Sequence, residues 1–520
     1  MKTTAIICLY FLGVTGVFAQ RGNPQTSFGG QTPDAMIADF MQEHQIAGMT
    51  LAIVQAPYIP RVVGYGVADK ERALLASPNT LWMIGELTQA YTAVALMQLV
   101  EAGQLTLDAR LGDTLPDLPQ EWQALTVRQL MGHASGLPDY TRQPGFDFTK
   151  DYQPADVLAS IKGQPLAFTP GTRVARSASN FFLLGLVIEK ISGLSYEEFV
   201  TRGQIEPLGL KNTLFPSGLA KVKSEAVELN GNHHKQFLAE RAYIDPTELA
   251  RGYAEVDGKV VAIAPGSQSA LFAHGTILAS ATDISIWDMG LAGGILVKQP
   301  ENRALIYHGF KLADGTVWPA NAGWRFPATK GLMDITGHAP GYSVYLSRFT
   351  DKADLLCVTL CANKGGVDLT ELARRVAGAF KASLGPPADP ANLTCVESCF
   401  PVNVTIDRLE AWLKSQGTGI IARVDHAVAA KRAGLDLRPT ETLIFGNPAV
   451  GTHLMLSRQP VAADLPLRMV AWLDEKGRVW LGWHEPSLLA AQHGIADQAE
   501  VVAKMKAGLA AAAAHATSPY

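Results

Sequence analysis

Apolar positions recur along this chain at two spacings. Ala35 to Glu43 carries a helical repeat, and Met49 to Val54 and Arg61 to Val67 read as strands. The most apolar segment, Ala90 to Val100, puts Ala93, Leu96, Met97 and Val100 on one helical face and stops at Gly103. This predicts a buried helix whose face is core and whose first turn lies near Glu86. Pro207 to Thr213 and Ser280 to Trp287 read as loops leading into helices, and Tyr342 to Arg348 and Leu355 to Leu360 return to strand. Helices between two groups of strands predict a mixed sheet covered by helices.

A proline-containing stretch, Leu384-Gly-Pro-Pro-Ala-Asp-Pro390, breaks the preceding helical pattern and stiffens a connector. Beyond it the pattern changes to a small α+β unit. Thr405 to Gln416 is an amphipathic helix with Ile406, Leu409 and Leu413 on one face, and Asp425 to Ala433 is a second helix. Gly419 to Val424, Leu443 to Pro448, Arg468 to Trp472 and Val479 to Trp483 are strand candidates. The expected division is a first domain over 20–385, a second over 386–500 and an Ala-rich tail over 501–520.

Composition narrows the function classes. With 520 residues the chain can hold two or more domains, and 48% hydrophobic with 18% charged residues is the balance of a folded globular protein. A net charge of −4 supplies no basic field for nucleic acid. Residues 1–19 join Lys2 to an apolar run from Ala5 to Val17, with small residues at Val17 and Ala19 before Gln20, the layout of a cleavable secretory signal. The expectation is export to the periplasm or beyond, with no stable membrane span, because no later apolar run is long enough.

Four cysteines follow the leader as two Cys-x-x-x-Cys pairs, Cys357 with Cys361 and Cys395 with Cys399. A zinc site is disfavoured, since residues four apart on a strand are about 13 Å apart. No metal or cofactor is expected. Buried thiols, a Cys395–Cys399 disulfide or a disulfide across the pairs remain open.

Several segments in order carry a resemblance. They are Trp82-Met-Ile-Gly-Glu-Leu-Thr-Gln89 leading into the apolar helix, Leu130-Met-Gly-His-Ala-Ser-Gly-Leu-Pro138, Phe168-Thr-Pro-Gly-Thr172, Leu184-Gly-Leu-Val-Ile-Glu189 and Gly337-His-Ala-Pro-Gly-Tyr342. Over Ala35 to Phe380 the chain resembles the serine β-lactamase-like superfamily, near class C β-lactamases, DD-peptidases and their esterase relatives. The resemblance implies an antiparallel sheet flanked by helices plus a helical subdomain, a β-lactamase/transpeptidase-like fold. In such enzymes a serine at the head of the buried helix attacks a carbonyl while a lysine one turn later helps take its proton.

Matched residue by residue, the serine falls on Glu86 and the lysine on Gln89. A carboxylate has no hydroxyl to attack with, and an amide takes up no proton near neutral pH. The Tyr-x-Asn element, counted from Thr172, falls on Arg176, Ser177 and Ala178. The substrate-lining strand matches His338-Ala339-Pro340, with Pro340 in place of glycine.

These departures imply loss of the inherited acyl transfer. The residues expected at the cleft are Glu86, Gln89, Arg176, His338, Gly341 and Tyr342, with a Glu86–Arg176 ion pair and the Glu86 carboxylate also taking N–H groups of its helix N-terminus. His133 reads as scaffold, and Ser177 lacks a lysine beside it. The ligand implied is a peptide, a cell-wall fragment or a small acyl compound. The rival reading is an active esterase, β-lactamase or peptidase that uses a non-standard residue. In the second domain, Asp425-His426, Leu437-Arg-Pro-Thr440 and Phe445-Gly-Asn-Pro448 resemble a small bacterial family of unknown function, which implies a fold and no reaction. His426, Asn447, His453 and His484 are a candidate polar site there, set against a turn at Asn447-Pro448 and scattered surface histidines.

Overall fold

The computed structural model describes residues 26–55, 58–221, 225–227, 243–245, 248–327, 329, 331–351, 354–386 and 393–520. The leader at 1–19 and most of the proline-containing linker lie outside the described residues. Sheet strands are numbered β1 (Gly48–Gln55), β2 (Tyr58–Asp69), β3 (Leu74–Leu75), β4 (Ala320–Asn321), β5 (Trp324–Arg325), β6 (Leu332–Ala339), β7 (Tyr342–Phe349) and β8 (Leu356–Ala362). They form one sheet in the order β4-β5-β6-β7-β8-β1-β2-β3, and its ladders are antiparallel. The mixed sheet suggested by the helix and strand order is therefore corrected. The strand groups are joined as hairpins, and the intervening helices form a separate layer.

Alternation along β1 shows how the sheet holds two cores. Met49, Leu51 and Ile53 pack on one face with helices α1 (Pro33–Glu43) and α4 (Thr370–Phe380), while Ala52 and Val54 join the larger core on the other. Both faces are covered, so the strand reads as an unbroken apolar run. The larger core surrounds helix α2 (Thr88–Glu101), which is buried on nearly every side, and α3 (Ala178–Ser192) packed across it. A helix apolar all round belongs inside, and these two form the centre of the helical subdomain.

The second domain has strands β9 (Leu393–Ser398), β10 (Gly419–Asp425), β11 (Thr440–Gly446), β12 (Leu467–Leu473) and β13 (Val479–His484) in the order β9-β13-β12-β11-β10. One face carries α5 (Val402–Ser415) and α6 (Ala499–Thr517), with Ile406, Leu409, Leu443, Phe445, Met469 and Leu481 between them. The Ala-rich segment is helix α6: Ala512, Ala513 and Ala516 are buried, and their small side chains let it lie close against α5.

The four cysteines are thiols. Cys395 donates to the Leu393 carbonyl at 3.7 Å, and Cys399 lies four residues along an extended segment, beyond the Cα separation a disulfide spans. Among the described residues no group of His, Cys, Asp or Glu could hold a metal ion, and no single helix is long and apolar enough to cross a membrane.

Candidate functional site

The head of α2 is a 3-10 turn, Gly85–Leu87, pressed against strand β6. Two glycines make this possible. A Cβ on Gly85, whose φ is +54°, would lie 2.2 Å from the His338 carbonyl oxygen, and one on Gly337 would lie 2.0 Å from the Ile84 oxygen. Backbone thus meets backbone where any side chain would collide.

The turn aims Glu86 at β6, and the Glu86 Oε2 accepts the His338 backbone N–H. The expectation that this carboxylate would take N–H groups of its own helix is corrected: the turn has no side-chain cap, and the bond goes to the strand. Strand β5 pairs with β6 only at Arg325 and Asp334, so the outer edge of β6 is free of a neighbouring strand at His338. Glu86 occupies a main-chain donor that an extended ligand would otherwise pair with.

Arg176 Nη2 lies 3.4 Å from Glu86 Oε1, so the two charges meet as their motif positions implied. Both side chains are about a quarter exposed, at 25% and 22%. Burial works to raise the Glu86 pKa, but Arg176, the His338 ring and the His338 N–H outweigh it and hold the carboxyl below its ordinary range. Glu86 is therefore ionised near neutral pH, with little basicity. The His338 imidazole is itself pushed down by burial, against the pull of Glu86.

Gln89 turns away from this pair. It is buried, and its Oε1 lies 3.1 Å from His133 Nε2. The other ring nitrogen, Nδ1, accepts from the Ser177 N–H at 3.3 Å and from Asn180 Nδ2 at 3.0 Å. With Nδ1 accepting twice, Nε2 carries the proton and donates to Gln89. Burial, with Arg176 adding, lowers the His133 pKa to about 3, so the ring is a neutral tie between α2 and α3. Where the family places a charged lysine, this chain has a neutral amide bonded to scaffold. Ser177 Oγ donates to the Pro138 carbonyl at 3.3 Å, and Ala178 is buried in the core without a polar atom to offer.

Gly341 and Tyr342, expected at the cleft, are not there. In the β6–β7 ladder His338 faces Ser343 while Tyr342 faces Ala339, so Tyr342 points to the opposite side of the sheet. It is buried, and its hydroxyl donates to the Ala250 carbonyl. Gly341 is required by the hairpin, with φ of +84° and a Cβ position 2.6 Å from Gly252 Cα.

The cleft continues into a cavity of about 470 Å3 between the domains, lined by Arg176, Arg325, Asp334, His338, Thr517 and Tyr520. Arg325 pairs with Asp334 at 2.6 Å, and Arg374 of α4 pairs with Glu397 of β9 at 3.0 Å across the domain boundary. After α6 the chain turns back, with Trp318 Nε1 donating to the Pro519 carbonyl at 3.1 Å and Arg408 to the Ser518 carbonyl at 2.7 Å. This places the Tyr520 ring 5.3 Å from the Arg176 guanidinium and edge-on to His133 at 5.6 Å.

Sequence reasoning missed Tyr520, Asn180 and His274. His274 is buried near Glu86 with its pKa lowered to about 4, chiefly by burial. Asn180 left a signal, a polar residue facing the core of an apolar helix. Tyr520 left none. Two of the four polar candidates of the second domain, His426 and Asn447, lie apart. His426 meets Thr442 at one end of the β10–β11 strand pair and Asn447 caps a helix at the other, the ladder running from Asp425 opposite Glu441 to Gly419 opposite Gly446.

Residues 394–512 match a domain of unknown function, DUF302. The chain is 45% identical over 114 residues to "Fluoride-specific ion channel FluC 1" of Brucella suis, which covers 22% of this chain and 45% of that protein. It is 29% identical over 213 residues to "Protein flp" of Staphylococcus aureus, covering 40% of this chain and 43% of the relative. The chain thus spans less than half the length of these curated relatives. Among solved structures, the octameric penicillin-binding protein homologue from Pyrococcus abyssi superposes with a TM-score of 0.57 at 19% identity, over 86% of this chain and 89% of that one, which shows a shared fold. Residues 33–380, well over half of the chain and the part that holds Glu86, Gln89, Arg176 and His338, match the family described as "Beta-lactamase", and the chain belongs to that family.

Proposed function

We propose that this chain is an exported, non-hydrolytic member of its family whose cleft binds a short peptide, a cell-wall fragment or a small acyl compound without acylating on it. The observation that carries this reading is Glu86. At the serine position stands a carboxylate held ionised by Arg176 and the His338 N–H, with no hydroxyl to attack a carbonyl and too little basicity to take a proton readily from water. Gln89, bonded to neutral His133, supplies no base in its place. Arg176, a quarter exposed on the cavity wall, offers its guanidinium to a ligand carboxylate such as the C-terminus of a short peptide. The basic and apolar leader at 1–19 supports export.

A second reading has its own observation. Tyr520 stacks over Arg176, so the second domain's end can serve as a permanent cover, leaving the cleft a structural joint. Incubation with a chromogenic cephalosporin and short p-nitrophenyl esters, followed by melting curves with a series of short peptides, separates the readings. The expected result is no turnover above buffer and a peptide-dependent rise in melting temperature. Neither turnover nor a shift would favour the joint. Turnover abolished by Glu86→Ala would establish an active hydrolase working through that carboxylate.

A further inference from the structure

The second domain carries a half-open cavity of about 820 Å3, apart from the inter-domain cleft, between α5, the paired strands β10 and β11, the helix Pro448–Ser457 and α6. Its walls are apolar, including Trp412, Ile420, Phe445, Met455, Leu465 and Met505. Folded interiors leave few voids larger than a water molecule, and elsewhere in this domain Leu443, Met469 and Leu481 are fully buried. A space of this size lies within the range of about 300–1,000 Å3 typical of small-molecule sites.

Two features of the wall point to a ligand. Gly508 lies inside α6 and Gly451 inside the helix Pro448–Ser457, and each lines the cavity. A glycine inside a helix costs about 1 kcal/mol relative to alanine. Packing does not demand either one: a Cβ on Gly508 would meet nothing within 4 Å, and one on Gly451 would make ordinary contact with Leu465 at 3.6 Å. Their effect is to leave space. The second feature is charge, since among the described residues lining the cavity Lys504 carries the only one, and it is exposed on α6 one turn before Gly508.

We infer that this cavity binds an amphiphile with an apolar chain and an anionic head, the chemistry of a long-chain fatty acid, with the chain among Trp412, Phe445 and Met505 and the carboxylate at Lys504. An apolar body in a dry pocket with one polar anchor is the usual division of labour in such sites. Bringing the head to an ammonium satisfies it without burying a charge.

The test uses the full chain, with 1-anilinonaphthalene-8-sulfonate as fluorescent reporter and palmitate or hexadecanol as competitor. Palmitate should displace the reporter from one saturable site. Lys504→Glu should weaken palmitate by about 3- to 10-fold and leave hexadecanol unchanged, because an exposed charge contact is worth little more. Gly508→Leu, which improves helix propensity, should weaken both by about tenfold or more by filling the mouth. Should Gly508→Leu lower the melting temperature, Ile421→Asp at the exposed rim carries the same expectation. The inference is overturned if palmitate displaces nothing, if displacement is indifferent to both Lys504→Glu and the filling variant, or if light scattering shows a dimer that excludes the reporter, which would make a second copy the occupant.

Discussion

The chain holds two cavities of opposite character. The cleft between the domains is walled by charges already paired with one another, Glu86 with Arg176, Arg325 with Asp334 and Arg374 with Glu397. The cavity of the second domain is walled by apolar side chains and glycines, with a single lysine at hand. In the first, an ion pair of Glu86 with Arg176 stands at the family's motif positions on the family's fold. In the second, space is kept open although helix stability would favour filling it. Ionic walls select by geometry and cost desolvation, whereas apolar walls bind by area and discriminate weakly.

Breaking the cleft alone is the strongest way to separate the two. Glu397→Ala leaves the Arg374 guanidinium, 3% exposed, without its counter-charge and should destabilise the protein by about 3–5 kcal/mol in urea melts. Because the pair joins the domains, unfolding should split into two transitions, with the second domain's cavity still binding its reporter between them. A smaller effect is expected from Tyr520→Ala, which removes the ring over Arg176 and should cost about 1–2 kcal/mol while opening the cleft. Isothermal titration with a peptide ligand should then show tighter binding, and reporter binding in the second domain should be unchanged.

The smallest effect sharpens the comparison most finely. Glu86→Gln keeps an acceptor for the His338 N–H but removes the ion pair, at a cost of about 1 kcal/mol or less for partly exposed groups. The folded Glu86 carboxyl titrates below its ordinary value of 4.5, so the unfolded chain binds more protons there. The stabilisation is fully present above that pH and is lost as the pH falls through the lower folded value. The stability difference between wild type and Glu86→Gln, measured in urea at pH 7 and at successively lower pH below 4.5, should shrink toward zero.

Much of the cleft was legible because it rests on local spacing. Glu86 and Gln89 are one turn apart at a helix head and Arg176 stands at a fixed distance from a glycine turn, so matching them to family motifs that face each other across the cleft placed Glu86 against Arg176. The antiparallel sheet was also legible, through the family resemblance, whereas the order of helices and strands had suggested a mixed one. Where the reading failed, distant packing decided. Tyr342 was assigned to the cleft by its nearness to His338 in sequence, but the alternation of the β6–β7 ladder turns it to the other face. Tyr520 reaches Arg176 only because the chain beyond α6 turns back, held by Trp318 and Arg408. The apolar cavity has no sequence signature either, since its walls come from α5, β10, β11 and α6, which lie far apart along the chain.

The proposed function requires that the family cleft form no acyl-enzyme, since Glu86, Gln89, Arg176 and Ala178 stand at the positions of its reacting groups. Intact-protein mass spectrometry after incubation with a β-lactam tests this directly, comparing the native chain with the combined variant Glu86→Ser, Gln89→Lys, Arg176→Tyr and Ala178→Asn. The expected result is an unchanged mass for the native chain and a stable acyl increment on the combined variant at the introduced serine. An acyl increment on the native chain that disappears in Glu86→Ala would contradict the account.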